Sequence, residues 1–274
     1  MKHPLLQKLL TALVLILLAS CTPKYVKPGP EGVPAGEIAQ RAALLQNSVK
    51  SVKGLASVRI RTPQDKISYT QVTLAEEPDL LRLEALNPFG KTVGFISSDG
   101  VNIYIISPAD RGVYGIEDAF DLSYVYPGLE LEITIQNLVD LVMGRVPKDV
   151  FQNGQTPEAA NGPEGVTLTF KNGEGAGDDT LWLNPVNSRV EKARIILDTG
   201  RPAIVTYEYF DGLINGHFFP RVIDFKTDEL AITITYQQDV ELNSPVDRTL
   251  LKPMASASGA GSERADLKKI SRYL

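Results

Sequence analysis

Few side chains in this sequence are placed to do covalent or metal chemistry. After residue 20 a single histidine remains, His217, and no G-x-S-x-G or comparable nucleophile motif accompanies it to build a Ser/His/Asp or Cys/His site. His217 therefore reads as a strand-entry residue. The run "GKT" at 90 to 92 ends like a P-loop, but Ala85 stands where the first glycine belongs, and the segment reads as a hairpin. "GEGAGDD", ending in Asp178 and Asp179, offers carboxylates but lacks the spaced ligands and closing glutamate of an EF-hand loop; it reads as a solvated turn. There is no H-E-x-x-H and no cysteine pair. The expectation is a protein that is not an enzyme and needs no cofactor or metal, with a hydrolase of unrecognised type ranked last.

Two other residues carry a physical message: the only cysteine and an oddly placed phenylalanine. Residues 1 to 21, "MKHPLLQKLLTALVLILLASC", have Lys2 and Lys8 ahead of an apolar run from Leu9 to Leu18 that is short for a bilayer span, which is the pattern of an export signal. Its end, Leu18-Ala19-Ser20-Cys21, resembles the bacterial lipobox, which implies cleavage before Cys21 and acylation of its thiol; the alternative is an ordinary signal with an incidental cysteine. Thr22, rather than aspartate, follows the cysteine. By resemblance to enterobacterial lipoproteins this implies a lipid anchor on the periplasmic face of the outer membrane. Without the signal, 26 Lys+Arg stand against 33 Asp+Glu, which argues against nucleic acid and against electrostatic capture by anionic lipid. Anchoring is then covalent.

The phenylalanine sits in "LNPFGK", residues 86 to 91. Asn87, Pro88 and Gly90 suit the first, second and fourth positions of a type I turn, which leaves Phe89 at the other central position. The flanks "DLLRLEAL" and "KTVGFISS" look like the two strands of a hairpin, so the turn holds Phe89 at its apex.

The elements that must position these residues follow from periodicity. Residues 1–20 form the signal, and 21–36, rich in proline and glycine, a tether that at about 3 Å per residue reaches roughly 45 Å. Ile38, Ala42, Leu45, Val49 and Val52 form one helical stripe. From residue 54 the period becomes two: "LASVRIRT", "LLRLEAL", "TVGFIS" and "VNIYII" read as antiparallel strands. A helical insert interrupts them, with Thr134 as N-cap, a stripe of Ile135, Leu138, Val139 and Val142, and Gly144 and Pro147 as terminators. Strands resume with "GVTLTFKN" and end with "LAITITYQQ". The expectation is a mainly β, α+β domain over 37–250: an unclosed antiparallel β-barrel or strongly curved sheet of about ten or eleven strands under a helical lid. Residues 251–274 read as a linker and a short helix carrying Leu267, Ile270 and Leu274. Large side chains on both faces of several strands fit either a filled core or an apolar cavity beneath the lid. Val58, Ile60, Leu81, Leu83, Val93 and Phe95 alternate as the lining of one concave face.

In this order, lipobox, tether, helix, hairpin with Asn-Pro-apolar-Gly at its tip, insert ending in "LVMGRVP", then "LWLNP", "VTYEYFDG" and "FFPRVIDF" resemble the LolA/LolB-like lipoprotein carriers, the LolB-like outer-membrane receptors above all. The likeness spans about residues 36 to 250. It implies an unclosed barrel that holds the acyl chains of a lipoprotein in transit, with Val58, Ile60, Leu81, Leu83, Val93 and Phe95 as the expected lining. It further implies a periplasmic LolA-like carrier as partner, and a transfer role for the apolar tip Phe89, flanked by Pro88 and Gly90, where the familiar form has leucine. The runner-up is a lipoprotein subunit of an envelope assembly or polysaccharide-export complex.

Overall fold

The computed structural model describes residues 33–106, 111–115, 120–121, 132–147, 150–151, 156–162, 165–172, 177–197 and 199–252. The lipobox with Cys21, the tether up to residue 32 and the tail after residue 252 lie outside them. Helix α1 (Ala35–Gln46) buries Ile38, Ala39 and Ala42. It ends at Asn47, although the apolar stripe continues through Val49 and Val52. The run Ser48, Val49, Ser51, Val52 is β-branched or hydroxyl-bearing and favours extended backbone once Asn47 has broken the helix. Both valines are buried all the same, Val52 already within the first strand.

Strands β1 (Ser51–Arg61), β2 (Lys66–Glu76), β3 (Leu80–Leu86), β4 (Thr92–Asp99), β5 (Asn102–Ile106) and β6 (Arg111–Gly115) form one antiparallel meander. A two-stranded ladder, β7 (Phe120–Asp121) with β8 (Glu132–Ile133), leads into helix α2 (Ile135–Val142). The Thr134 hydroxyl accepts from Asn137 N at 3.2 Å and caps that helix, as its sequence foretells. The second meander comprises β9 (Glu158–Gly162), β10 (Gly165–Phe170), β11 (Asp179–Leu183), β12 (Val190–Ile196), β13 (Pro202–Tyr209), β14 (Pro220–Lys226) and β15 (Ala231–Tyr236). A short β16 (Glu241–Leu242) then pairs with the start of β1.

The two meanders join where β15 pairs with β1, Ala56 opposite Tyr236 and Arg61 opposite Ala231. The result is one unclosed sheet of 14 strands with β6 and β9 at its edges. The excess over the expected number comes from β2, whose eleven residues are not among the segments that read as strands, and from the short β6, β9 and β16. β9, "EAANG", is exposed throughout and has no β-branched residue, so only its pairing with β10 identifies it.

Register fixes which residues look inward. Val58 faces Ile234 and Tyr69; Thr73 faces Leu83, Ala75 faces Leu81, and Leu83 faces Ile96. With Ile103, Ile105, Val205, Ile223, Phe225 and the apolar face of α2, these residues make one continuous buried core. The opposite face of β1 to β3 carries a second, smaller cluster, Val72, Leu74 and Leu80, which is covered by the chain's own Val246 and Leu251. This arrangement answers why several strands are apolar on both sides. Leu251 is fully buried, so the folded unit runs past residue 250.

Candidate functional site

The β3–β4 hairpin holds Phe89 out in solvent. Gly90 N donates to Asn87 O at 2.9 Å, and the Asn87 side chain accepts from Phe89 N at 2.9 Å and Lys91 N at 3.0 Å. Gly90 takes a left-handed φ of 71°, which a glycine adopts without penalty. The turn therefore spends its backbone groups on itself, and the ring remains 88 % exposed, the most of any large apolar residue described. Among the loop's neighbours, Glu84 is buried, where it pairs with Arg82 at 2.9 Å and accepts from the Thr92 hydroxyl.

Inside, Val58, Ile60, Leu81 and Leu83 share the concave face and are all buried. Val93 and Phe95 do not join them. Gly94 pairs with Ala85 and Thr92 with Leu86, so Val93 is the extra residue of a β-bulge and is 44 % exposed. Phe95 faces Glu84 on the outer side, beneath the Arg82 guanidinium at 4.6 Å. The inward residues of β4 are Gly94, Ile96 and Ser98, two of them too small or polar to announce a core face in the sequence.

The lid is tied down by hydrogen bonds the sequence did not reveal. Tyr207 donates to Arg145 O at 2.7 Å and Tyr236 to Val142 O at 2.6 Å, which satisfies carbonyls at the C-terminal end of α2 that the helix leaves unpaired. Burial pushes both phenols well above their usual range, so they stay neutral donors. Arg145 bonds Glu77 at 2.6 Å and also the Val49 carbonyl, and Lys50 meets Glu77 at 2.6 Å. Burial raises the Glu77 carboxyl, but the bonds from Lys50 and Arg145 outweigh it and hold the group below its usual value. Tyr236→Phe is expected to cost about 1–3 kcal/mol, the penalty of a buried carbonyl without a donor. An unchanged urea midpoint would show that this carbonyl finds another partner.

Where α1, α2 and the β13–β14 loop meet, a shallow cleft is lined by Leu45, Val49, Met143, Arg189, Tyr209 and Phe218, with about 10 Å³ of space, room for one water. The remaining polar candidates assemble no reactive group. His217 precedes β14 and its Nε2 lies 3.0 Å from Asn243 Nδ2. Asp178 pairs with Lys171 at 2.9 Å. Asp179, expected on a solvated turn, is instead fully buried and accepts from Ile196 N at 2.7 Å, because it opens β11 rather than ending the loop. Among the described residues no three His, Cys, Asp or Glu side chains are grouped to hold a metal, and no helix is long and apolar enough to cross a membrane.

No family model matches the sequence, and no curated protein matches it. Solved structures do share the fold. A LolA superfamily protein from Nitrosomonas europaea is 15 % identical with a TM-score of 0.50, and the match covers 81 % of this chain and 99 % of that one. A DUF1329 family protein from Desulfovibrio piger is 10 % identical with a TM-score of 0.55, covering 80 % of this chain and 95 % of the other. Identities this low speak for architecture alone. That architecture is the LolA-like one, an antiparallel sheet left unclosed and curved over helices.

Proposed function

We propose that this protein is a lipid-anchored receptor of the bacterial envelope that takes a lipoprotein's acyl chains from a soluble periplasmic carrier and releases them into the outer membrane. The observation that carries the reading is Phe89, a ring that a self-satisfied turn keeps in water. The continuous apolar face of the sheet beneath α1 and α2 supports it, as a surface that acyl chain would cover once the helices shift. No bond is made or broken. Each acyl methylene contributes about 0.8 kcal/mol on leaving water, so the receptor must hold the chain less well than the bilayer accepts it.

The anchor in this reading is Cys21. Cys21→Ser is expected to abolish incorporation of labelled palmitate and to leave the protein out of the outer-membrane fraction; unchanged labelling would remove the anchor. The function itself is tested by reconstitution, with a lipoprotein-loaded carrier, this protein and liposomes, and by mass spectrometry of what co-purifies with the mature chain. Acylated peptide or fatty acid in the preparation supports the receptor.

A second reading, a lipoprotein subunit of an envelope assembly, is favoured by one feature: the concave face is already packed against the helices, with no large void in the cleft beside them. A preparation free of lipid and bound in fixed stoichiometry to another protein would favour that reading.

A further inference from the structure

The chain is acidic overall, yet the end of the sheet that carries Phe89 is not. On β1 and β2, Arg61 stands directly opposite Lys66, and Arg59 lies two residues along the same outward face. All three are exposed, and none is in an ion pair among the described residues. Like charges placed directly across a ladder are unfavourable, so folding alone gives no reason for the arrangement.

Register places this patch beside the tip. Thr70 pairs with Leu86, the last residue of β3, so β2 runs on from Thr70 to Lys66 alongside the 87–91 turn. At about 3.3 Å per residue Lys66 stands roughly 13 Å past Leu86, comparable with the three residues that carry the chain to Phe89. Lys91 adjoins the ring and is exposed too. The other charges at this end are largely occupied: Arg201 pairs with Glu229 at 2.9 Å, Lys226 reaches Asp224 at 3.9 Å, and Asp65 accepts from Lys66 N at 2.7 Å. Asp228 is exposed in the β14–β15 turn.

We propose that this end docks on anionic phospholipid, with Arg59, Arg61 and Lys66 meeting headgroup phosphates while Phe89 enters the acyl boundary. The inference rests on the reading of the protein as one that delivers cargo at a membrane. Its net negative charge is no obstacle, because at physiological salt only charges within about 8 Å of the surface are felt. The patch would orient the domain on the membrane surface.

The experiment uses the mature chain without acyl groups, residues 22–274, which keeps every described element, and vesicle co-sedimentation. Vesicles of phosphatidylcholine with about one-third phosphatidylglycerol should bind at least about tenfold more protein than phosphatidylcholine alone, and about 0.5 M salt should abolish the difference. Replacing Arg59, Arg61 and Lys66 together by glutamine should remove that tenfold preference, whereas Arg59→Lys with Arg61→Lys should keep it. Phe89→Ala should weaken binding to both vesicle types alike. Circular dichroism checks folding, and the three single glutamine variants serve if the triple one unfolds. An unchanged preference in the folded glutamine variants overturns the inference, as does binding of the parent to both vesicles equally or retention of the patch only by an acidic protein. Vesicle binding needs neither cargo nor carrier. A protein that prefers anionic vesicles but transfers no lipoprotein therefore refutes the receptor reading and not this one.

Discussion

Phe89→Glu is expected to stop release of lipoprotein into liposomes while leaving the melting temperature of the domain almost where it was. The two halves of this result have separate causes. A ring that is 88 % exposed contributes little packing to the fold, and exposed substitutions usually shift stability by no more than about 0.5 kcal/mol. The turn beneath it is closed by Asn87 and Gly90, neither of which depends on the identity of residue 89. Full burial of such a ring in lipid or against acyl chain contributes roughly 1.5–3 kcal/mol, too little to anchor a protein but enough to bias a transfer step by tenfold or more. A carboxylate reverses the sign of that term. Phe89→Leu keeps an apolar tip and should retain transfer. The measurements are a reconstituted transfer assay and a melting curve on the same preparations. Normal transfer by the glutamate variant would remove the role assigned to the tip, and a large loss of stability would mean that the ring is part of the core.

A large effect on stability is expected at Gly144. This residue follows α2 with a φ of 72°, and a methyl group on its Cα would fall on the ring of Pro220, the first residue of β14. Gly144→Ala therefore combines backbone strain of about 1–2 kcal/mol with an overpacking cost of about 1–3 kcal/mol. For a domain of this size a total near 3 kcal/mol lowers the melting temperature by roughly 10 °C. Gly90 supplies the control: its φ of 71° is nearly the same, but nothing lies within 4 Å of the position a Cβ would take. Gly90→Ala should then show the strain alone and lower the melting temperature by only a few degrees. Equal effects at the two sites would mean that Pro220 moves aside freely, and that α2 is held less firmly against β14 than the geometry indicates.

Much of this architecture was legible in the amino-acid order because hairpins and caps are local. Thr134 as N-cap, Gly144 as terminator and the Asn-Pro-Phe-Gly turn each rest on neighbours within a few residues, and each stands where its chemistry calls for it. What alternation misses is anything that changes its phase or comes from far away. The bulge at Val93 shifts the inward set of β4 by one, so Leu81 and Leu83 face inward as alternation predicts while Val93 and Phe95 do not. α1 was drawn too long because buried valines continue its stripe into β1, and burial does not distinguish a helix from a strand. The outer cover of β2 and β3 was invisible for another reason. Val246 and Leu251 lie some 170 residues from the strands they protect, where Arg82 donates to Leu250 O at 2.8 Å and Ser97 to Leu251 O at 2.5 Å.

The seam between the first and last long strands also sets an order of events during synthesis. Ala56 and Tyr236 are neighbours in the sheet but about 180 residues apart in the chain, so β1 has a bare edge until β15 has emerged. Each meander can close from adjacent hairpins on microsecond timescales, whereas the seam must wait for a loop of almost the whole domain to close. A chain made N-terminus first thus stays incompletely folded until Ala231–Tyr236 have emerged. During that interval the hydrogen-bonding edge of β1 is open to chaperones, and to aggregation in their absence.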